Sequence, residues 1–329
     1  MTSPRRNTAF PTLALAFLLA AAPAATALGQ AGLGQRLRDW PLDDQGLDLQ
    51  ADLYLFADTQ TEADEDFELN MYKARGRARL DRDGTSRWDP TIGFDLVLLD
   101  IDSDNSELPE RLTRQRIGVG ARLGELAGWN IEAVAGAGFA GETPYADGDA
   151  WHAHATLAAS KPLDERSRLM LALNWDGNRA IFPDLPLPSV VYQTQWNENL
   201  SIGLGLPYSS VKWTPTEKWE LRLAGLPPIS VKAIALYKLN RMIRFYGSFD
   251  SDTQPYQLAD TREGDRLFFQ QRRLEAGVIV GLQRWLSIRA AGGYAFSQEF
   301  SRGWHVIDTD QEIEIDSAPY LKLTADLRF

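Results

Sequence analysis

The chain has 329 residues, no cysteine, and 34 basic against 45 acidic side chains, a formal charge of −11. That acidic balance argues against nucleic acid, whose phosphates need a basic surface, and the missing cysteines exclude disulfides, thiolate metal sites and a cysteine-anchored lipoprotein. Mean hydropathy is −0.29, and the single apolar run of note, at the N-terminus, falls short of the roughly 20 residues a membrane-crossing helix needs.

That run reads as a secretory signal. Arg5 and Arg6 form a positive start, Leu13 to Ala22 (LALAFLLAAA) an apolar centre, and Ala25-Thr26-Ala27 a small-x-small cleavage pattern. Cleavage after Ala27 removes two arginines and no acids, taking the formal charge from −11 to −13. The arginine pair resembles a twin-arginine signal, but that route carries folded cargo. Residues 28–45 are short, Gly-rich and polar, a lead-in to the first strand.

From Leu47 the chain alternates with period 2, the mark of a strand with one apolar and one polar face. Leu47, Leu49, Ala51, Leu53 and Leu55 oppose Asp48, Gln50, Asp52 and Tyr54. Over Phe67 to Leu80, Tyr72, Ala74, Gly76 and Ala78 oppose Lys73, Arg75, Arg77 and Arg79. Ile92 to Leu98, Ile117 to Leu123, Ile131 to Phe139, Trp151 to Ala159 and Leu169 to Trp175 continue the series. Val190 to Trp196, Leu200 to Leu206, Leu221 to Gly225, Val231 to Leu239, Ile243 to Phe249, Leu274 to Leu282 and Leu286 to Phe296 come next. The weak stretch is Pro207 to Pro228, where four prolines cut the strands short and one hairpin need not span.

Short connections (Gly124–Gly128, Lys161–Ser167, Asn197–Asn199, Pro215–Lys218, Asn240–Arg241, Gln283–Trp285) mostly alternate with long or acidic ones (Asp58–Asp66, Asp100–Thr113, Gly141–Asp149, Asp176–Pro188, Asp250–Arg266, Gln298–Ser317). Alternation of this kind is what an up-and-down barrel requires. Trp129, Trp196, Trp213, Trp219 and Trp285 all fall at the short connections, as an interfacial aromatic girdle would.

The last strand, Ala318 to Phe329, sets Leu321, Leu323, Ala325, Leu327 and Phe329 against Lys322, Thr324, Asp326 and Arg328, and ends on an aromatic residue. This resembles the C-terminal strand of bacterial outer-membrane β-barrel proteins, and with the signal segment and the loop alternation the likeness covers nearly the whole mature chain. It is most similar to barrel families of unknown function; Leu321 stands where many such barrels carry Tyr. The resemblance implies an all-β, antiparallel transmembrane barrel of about 14 to 16 strands, with 12 possible, over residues 46–329. It also implies periplasmic termini, an outer-membrane location after Sec-type export, and lipid as a partner. Phe329, Leu327, Ala325 and Leu323 would be the assembly signal read by the barrel-assembly machinery. The terminal strand would close the barrel on the strand at Leu47–Ala57.

In such a barrel Asp48, Asp52, Lys73, Arg75, Arg77, Arg79, His152, His154, Lys322 and Arg328 line the lumen. The basic row of four is expected to pair with Asp48 and Asp52, and also to serve as an anion-attracting strip. His152 and His154, two apart, suit a shared metal or a base, but an outer-membrane phospholipase would carry Ser where His154 stands, so polar lining is the expectation. Asp100, Asp102 and Asp104 start like a calcium loop, yet Asn105 replaces its glycine and Arg111 its final glutamate. The acidic ladder Asp308 to Asp316 reads as a solvated hairpin. Gly136, Gly138 and Gly141 fit a dinucleotide fingerprint, but no helix pattern comes after them, so they relieve crowding in the wall. The Pro-rich Ile181 to Pro188 fits either a constriction folded into the lumen or a stiff external loop. Neither cofactor nor metal is implied. The expected function is a passive pore or small-solute channel. A barrel enzyme acting on lipid or peptide, and a plugged structural or adhesion barrel, are the alternatives.

Overall fold

The computed structural model describes residues 46–81, 86, 88–146, 148–226, 230–258 and 265–329; the signal segment and the lead-in lie outside the described residues. The elements, all strands, are β1 (Leu47–Phe56), β2 (Thr59–Gln60), β3 (Asp66–Arg79), β4 (Thr91–Ser103), β5 (Arg111–Leu126) and β6 (Trp129–Gly141). Next come β7 (Trp151–Pro162), β8 (Ser167–Asp176), β9 (Leu187–Asn197), β10 (Leu200–Leu206), β11 (Ser209–Thr216) and β12 (Trp219–Leu226). The series ends with β13 (Ser230–Lys238), β14 (Ile243–Tyr256), β15 (Arg266–Gly281), β16 (Leu286–His305), β17 (Asp308–Ile315) and β18 (Ala318–Arg328).

Sixteen of these form one closed antiparallel wall, leaving out β2 and β17. Closure is the join between β1 and β18, in which Leu49 faces Leu327, Ala51 faces Ala325 and Tyr54 faces Lys322. With β3 on its other side, β1 has no free edge, and neither does the sheet. β17 continues the wall above β18: it pairs with the upper part of β16 and meets the β2 end through a bridge from Ile315 to Thr61.

The register fixes which side chains point out. Leu321 and Leu323 on β18, Ile117 on β5 and Leu204 on β10 belong to an exposed apolar outer face. On that same face at the short-turn end stand Trp196, Trp213, Trp219 and Trp285, all exposed. Trp129 is half-buried beneath Lys161, whose Nζ lies 5.9 Å from the ring centre. Trp285 stacks on the terminal Phe329 with ring centres 5.4 Å apart.

The wall is lopsided. β10 to β13 have 7, 8, 8 and 9 residues, whereas β5, β15 and β16 have 16, 16 and 20. The doubtful stretch after Pro207 does supply two wall strands, β11 and β12, but short ones. Pro207 separates β10 from β11 and Pro215 sits at a register shift in the β11–β12 ladder, and the strands there are short. The long connections expected at Asp250–Arg266 and Gln298–Ser317 are in large part strand, because β14, β15, β16 and β17 run on beyond their apolar outer faces.

Candidate functional site

A wall of sixteen strands encloses more width than side chains alone fill, whereas about eight strands give a packed interior. What occupies the lumen here is the barrel's own chain. Phe268 and Phe269 are neighbours on β15 and point to opposite faces, yet both are 0% exposed. Ser251, Thr253, Gln254 and Tyr256 on the partner strand β14 are likewise buried, whichever face they take. Both sides of a strand become buried when other parts of the chain cover each face, and although β15 stays paired with β16 up to Arg266, the end of β14 runs on to β6 across the barrel. The upper part of the β14–β15 hairpin therefore bends into the lumen.

Its far end reaches the opposite side. Gln257 donates its backbone N–H to the Ala140 carbonyl (2.9 Å) and forms a parallel bridge with Gly141 on β6. One face of the hairpin joins an apolar cluster with Tyr54, Phe67, Leu69, Met71, Leu99, Leu112 and Phe300, in which Phe269 stacks on Phe300 at 4.7 Å. The other face is covered by the loop 177–186. Ala180 and Ile181 pack on Phe268 and Val306. Asn178 Nδ2 donates to the Pro255 carbonyl (3.0 Å), and Arg266 Nη1 donates to the Arg179 carbonyl (2.8 Å). Of the Pro-rich segment Ile181 to Pro188, Ile181 is buried against this face of the hairpin, while Phe182 and Leu185 stay exposed.

The polar lumen expected of most strands is corrected by this cluster at the long-loop end. On β3 the inward residues there are Phe67, Leu69 and Met71, and on β4 they are Val97, Leu99 and Ile101, all nearly fully buried. Glu68, Asn70, Asp100 and Asp102 occupy the outer face instead. Strands rising past a lipid belt meet water outside, so the polar face turns outward and apolar side chains fill the interior.

Below the cluster lies a charged band. Lys73 crosses the lumen to Asp252, Nζ to Oδ2 2.8 Å, and Arg273 joins Asp250 at 2.6 Å and Asp252 at 3.6 Å. Lys73, Lys322 and the Arg273 guanidinium all lie within 5.7 Å of the Tyr54 ring centre, at cation–π range. Glu275 accepts from Tyr320 and Lys322, each at 3.2 Å, and from Tyr246. On the other side, Asp95 lies between Arg114 (3.5 Å) and Arg116 (3.6 Å), and Arg116 reaches Asp176 at 3.8 Å.

The expected pairing of the basic row with Asp48 and Asp52 holds for one member. Arg77 meets Asp48 at 3.4 Å. Arg75 Nε donates to Gln50 (3.0 Å), and Arg79 pairs with Asp89 at 3.0 Å. Lys73 goes to the hairpin, which enters the lumen opposite it. Asp52 is held by Thr324 Oγ1 (2.6 Å) and by Gln50 Nε2 (2.9 Å). Lys322 lies on the inner face, and Arg328 shares that face at the short-turn rim.

His152 and His154 also point inward, each opposite a glycine: Gly138 faces His152 and Gly136 faces His154. A Cβ on either glycine would fall on the facing imidazole ring, so the two glycines are the space the rings occupy. His152 Nδ1 and His154 Nε2 are buried without a hydrogen-bond partner. Among the described residues no group of three His, Cys, Asp or Glu side chains is placed to hold a metal. Asp100 is engaged instead by Arg111 at 3.3 Å.

Sequence reading missed Asp95, Arg114, Arg116, Asp176, Asp250, Asp252, Arg273 and Glu275. Three pairs among them carry a signal, charges spaced two apart in Arg114–Arg116, Asp250–Asp252 and Arg273–Glu275. The short-turn half of the lumen holds a cavity of about 570 Å³ walled by β12 to β16 and β18.

A closed antiparallel wall with an apolar outer face and a charged interior is the build of a transmembrane β-barrel. No known family model matches the chain, and no characterised sequence does. Among solved structures it is similar to outer-membrane barrels. The Pseudomonas putida toluene transporter TodX matches at 10% identity over 93% of this chain and 95% of that one, TM-score 0.43. The Ralstonia pickettii toluene transporter TbuX matches at 13% over 93% and 95%, TM-score 0.42. An outer-membrane channel of Pseudomonas putida F1 matches at 13% over 88% and 99%, TM-score 0.36.

Proposed function

We propose that the chain is an outer-membrane channel for small solutes, narrowed by its own β14–β15 hairpin. The observation that carries this reading is the occupant of the lumen. A wall wide enough for an aqueous passage is constricted by a hairpin and one loop, and beneath them the interior is charged and holds an open cavity. The short turns and the girdle end face the periplasm, and the long connections face outward. Export through the signal segment, and recognition of Phe329 and the outward Leu327, Ala325 and Leu323 by the assembly machinery, belong to the same reading.

A plugged structural barrel is the second reading, and the apolar cluster around Phe269 favours it. An enzyme gains less support: the two bare imidazole nitrogens hold no hydroxyl in place for attack. Planar-bilayer recordings of the purified barrel separate the first two. Small, discrete current steps are expected; a folded, inserted barrel silent at every voltage would overturn the channel and leave the plug.

A further inference from the structure

The cavity in the short-turn half of the lumen differs in charge from the protein as a whole. The full chain carries −11, yet nine basic side chains and only three acidic ones line this space. All three acids are already engaged by cations. Asp250 is held by Arg273 (2.6 Å), Asp326 by Arg289 (3.0 Å) and Glu275 by Lys322 (3.2 Å). Arg222 is taken up by Glu220 beside it.

That leaves a surplus of positive charge with no protein partner. Arg241, Arg284 and Arg328 stand exposed at the rim, and Arg244 is half-buried on the wall below them. None of the four makes an ion pair or a side-chain hydrogen bond among the described residues, and Ser248 and Ser287 add hydroxyls to the same wall. The guanidinium fork matches carboxylate and phosphate oxygens two at a time. A concave site between low-dielectric walls also concentrates counter-ions.

We propose that this vestibule binds a small, multiply charged oxyanion, of the phosphate or polycarboxylate class, entering from the short-turn end. Arg241, Arg284 and Arg328 attract and orient it, and Arg244 holds it deeper. The volume, about 570 Å³, is that of a small-molecule site. Arg273 forms the floor, where the charged band stops the ligand from advancing while the hairpin stays in place. The inference deepens the channel reading and rests on it for the route across the membrane; the binding step stands without it.

Titration calorimetry of pyrophosphate into the full barrel, in zwitterionic detergent free of anionic lipid, tests it. Binding is expected, weakening steeply with added salt. An Arg244→Gln/Arg284→Gln variant is expected to bind at least tenfold more weakly, with unchanged heat-dependent gel mobility to show that it folds. Arg111→Gln, at the opposite end of the barrel, should bind as the unaltered protein does. No binding of pyrophosphate, or equal binding by the double variant, overturns the proposal. A barrel that binds but carries no current keeps the vestibule and loses the channel; one that conducts but does not bind does the reverse.

Discussion

The two sides of the wall solve different problems with the same alternating pattern. On the tall side, formed by β1, β3 to β6 and β14 to β18, the strands run past the outer apolar belt, and their upper inward residues make one apolar cluster. On the low side, β8 to β13, the strands are 7 to 11 residues long and contribute nothing to that cluster. Length alone does not decide this, since β1 and β18 are no longer than β9 and still add Tyr54, Phe56 and Tyr320 to the cluster; the interior is packed where the outer face meets water and the apolar side chains turn inward.

Several substitutions would break or sharpen that contrast. The largest effect is all-or-none. Val306 donates its backbone N–H to the Ala180 carbonyl at 3.1 Å, which sets the two residues at disulfide range. In a chain without native cysteine, Ala180→Cys/Val306→Cys should cross-link on oxidation and resist maleimide. Two freely labelled thiols would mean that the loop 177–186 does not lie on the β16 tip. Next, Phe269→Ala on the tall side should cost about 3–5 kcal/mol in denaturant unfolding. Met170→Ala on the low side, half-buried on the inner face, should cost much less; equal losses would erase the contrast.

Gly136→Val would push a side chain onto the His154 ring and the Ile117 carbonyl, and a loss of about 1–3 kcal/mol is expected. Pairing it with His154→Ala should recover the part of that loss due to the imidazole and not the part due to the Ile117 carbonyl. Full additivity of the two would show that the glycine serves some other end. Smallest is Trp285→Ala, which removes the stack on Phe329 and should cost about 0.5–1.5 kcal/mol beyond lost area.

Much of the wall was legible in the sequence because period 2 holds over the outward apolar belt of most strands and the terminal strand names its own partner. The packed interior was legible too, in a form that is easy to pass over. In β3 the apolar phase shifts between Met71 and Tyr72: Phe67, Leu69 and Met71 face in, and Tyr72 and Ala74 face out. In β4 the run Leu96-Val97-Leu98-Leu99 marks the same crossing. Two adjacent apolar residues in an alternating strand signal the level at which the surroundings change from lipid to water. The cross-lumen pairs were not legible. Lys73 and Asp252 lie 179 positions apart, and nothing local says that the hairpin bends inward to bring them together. β11 was hidden by Pro215 within it and Pro207 just before it, which weaken the pattern without removing the strand from the wall.

In this account the β14–β15 hairpin is what narrows the lumen. The most direct test is the single-channel conductance of a barrel in which residues 252–271 are replaced by a two-residue turn, compared with the intact chain in the same bilayer. A several-fold larger current is expected from the shortened barrel. An unchanged current from a barrel that folds and inserts would contradict the claim.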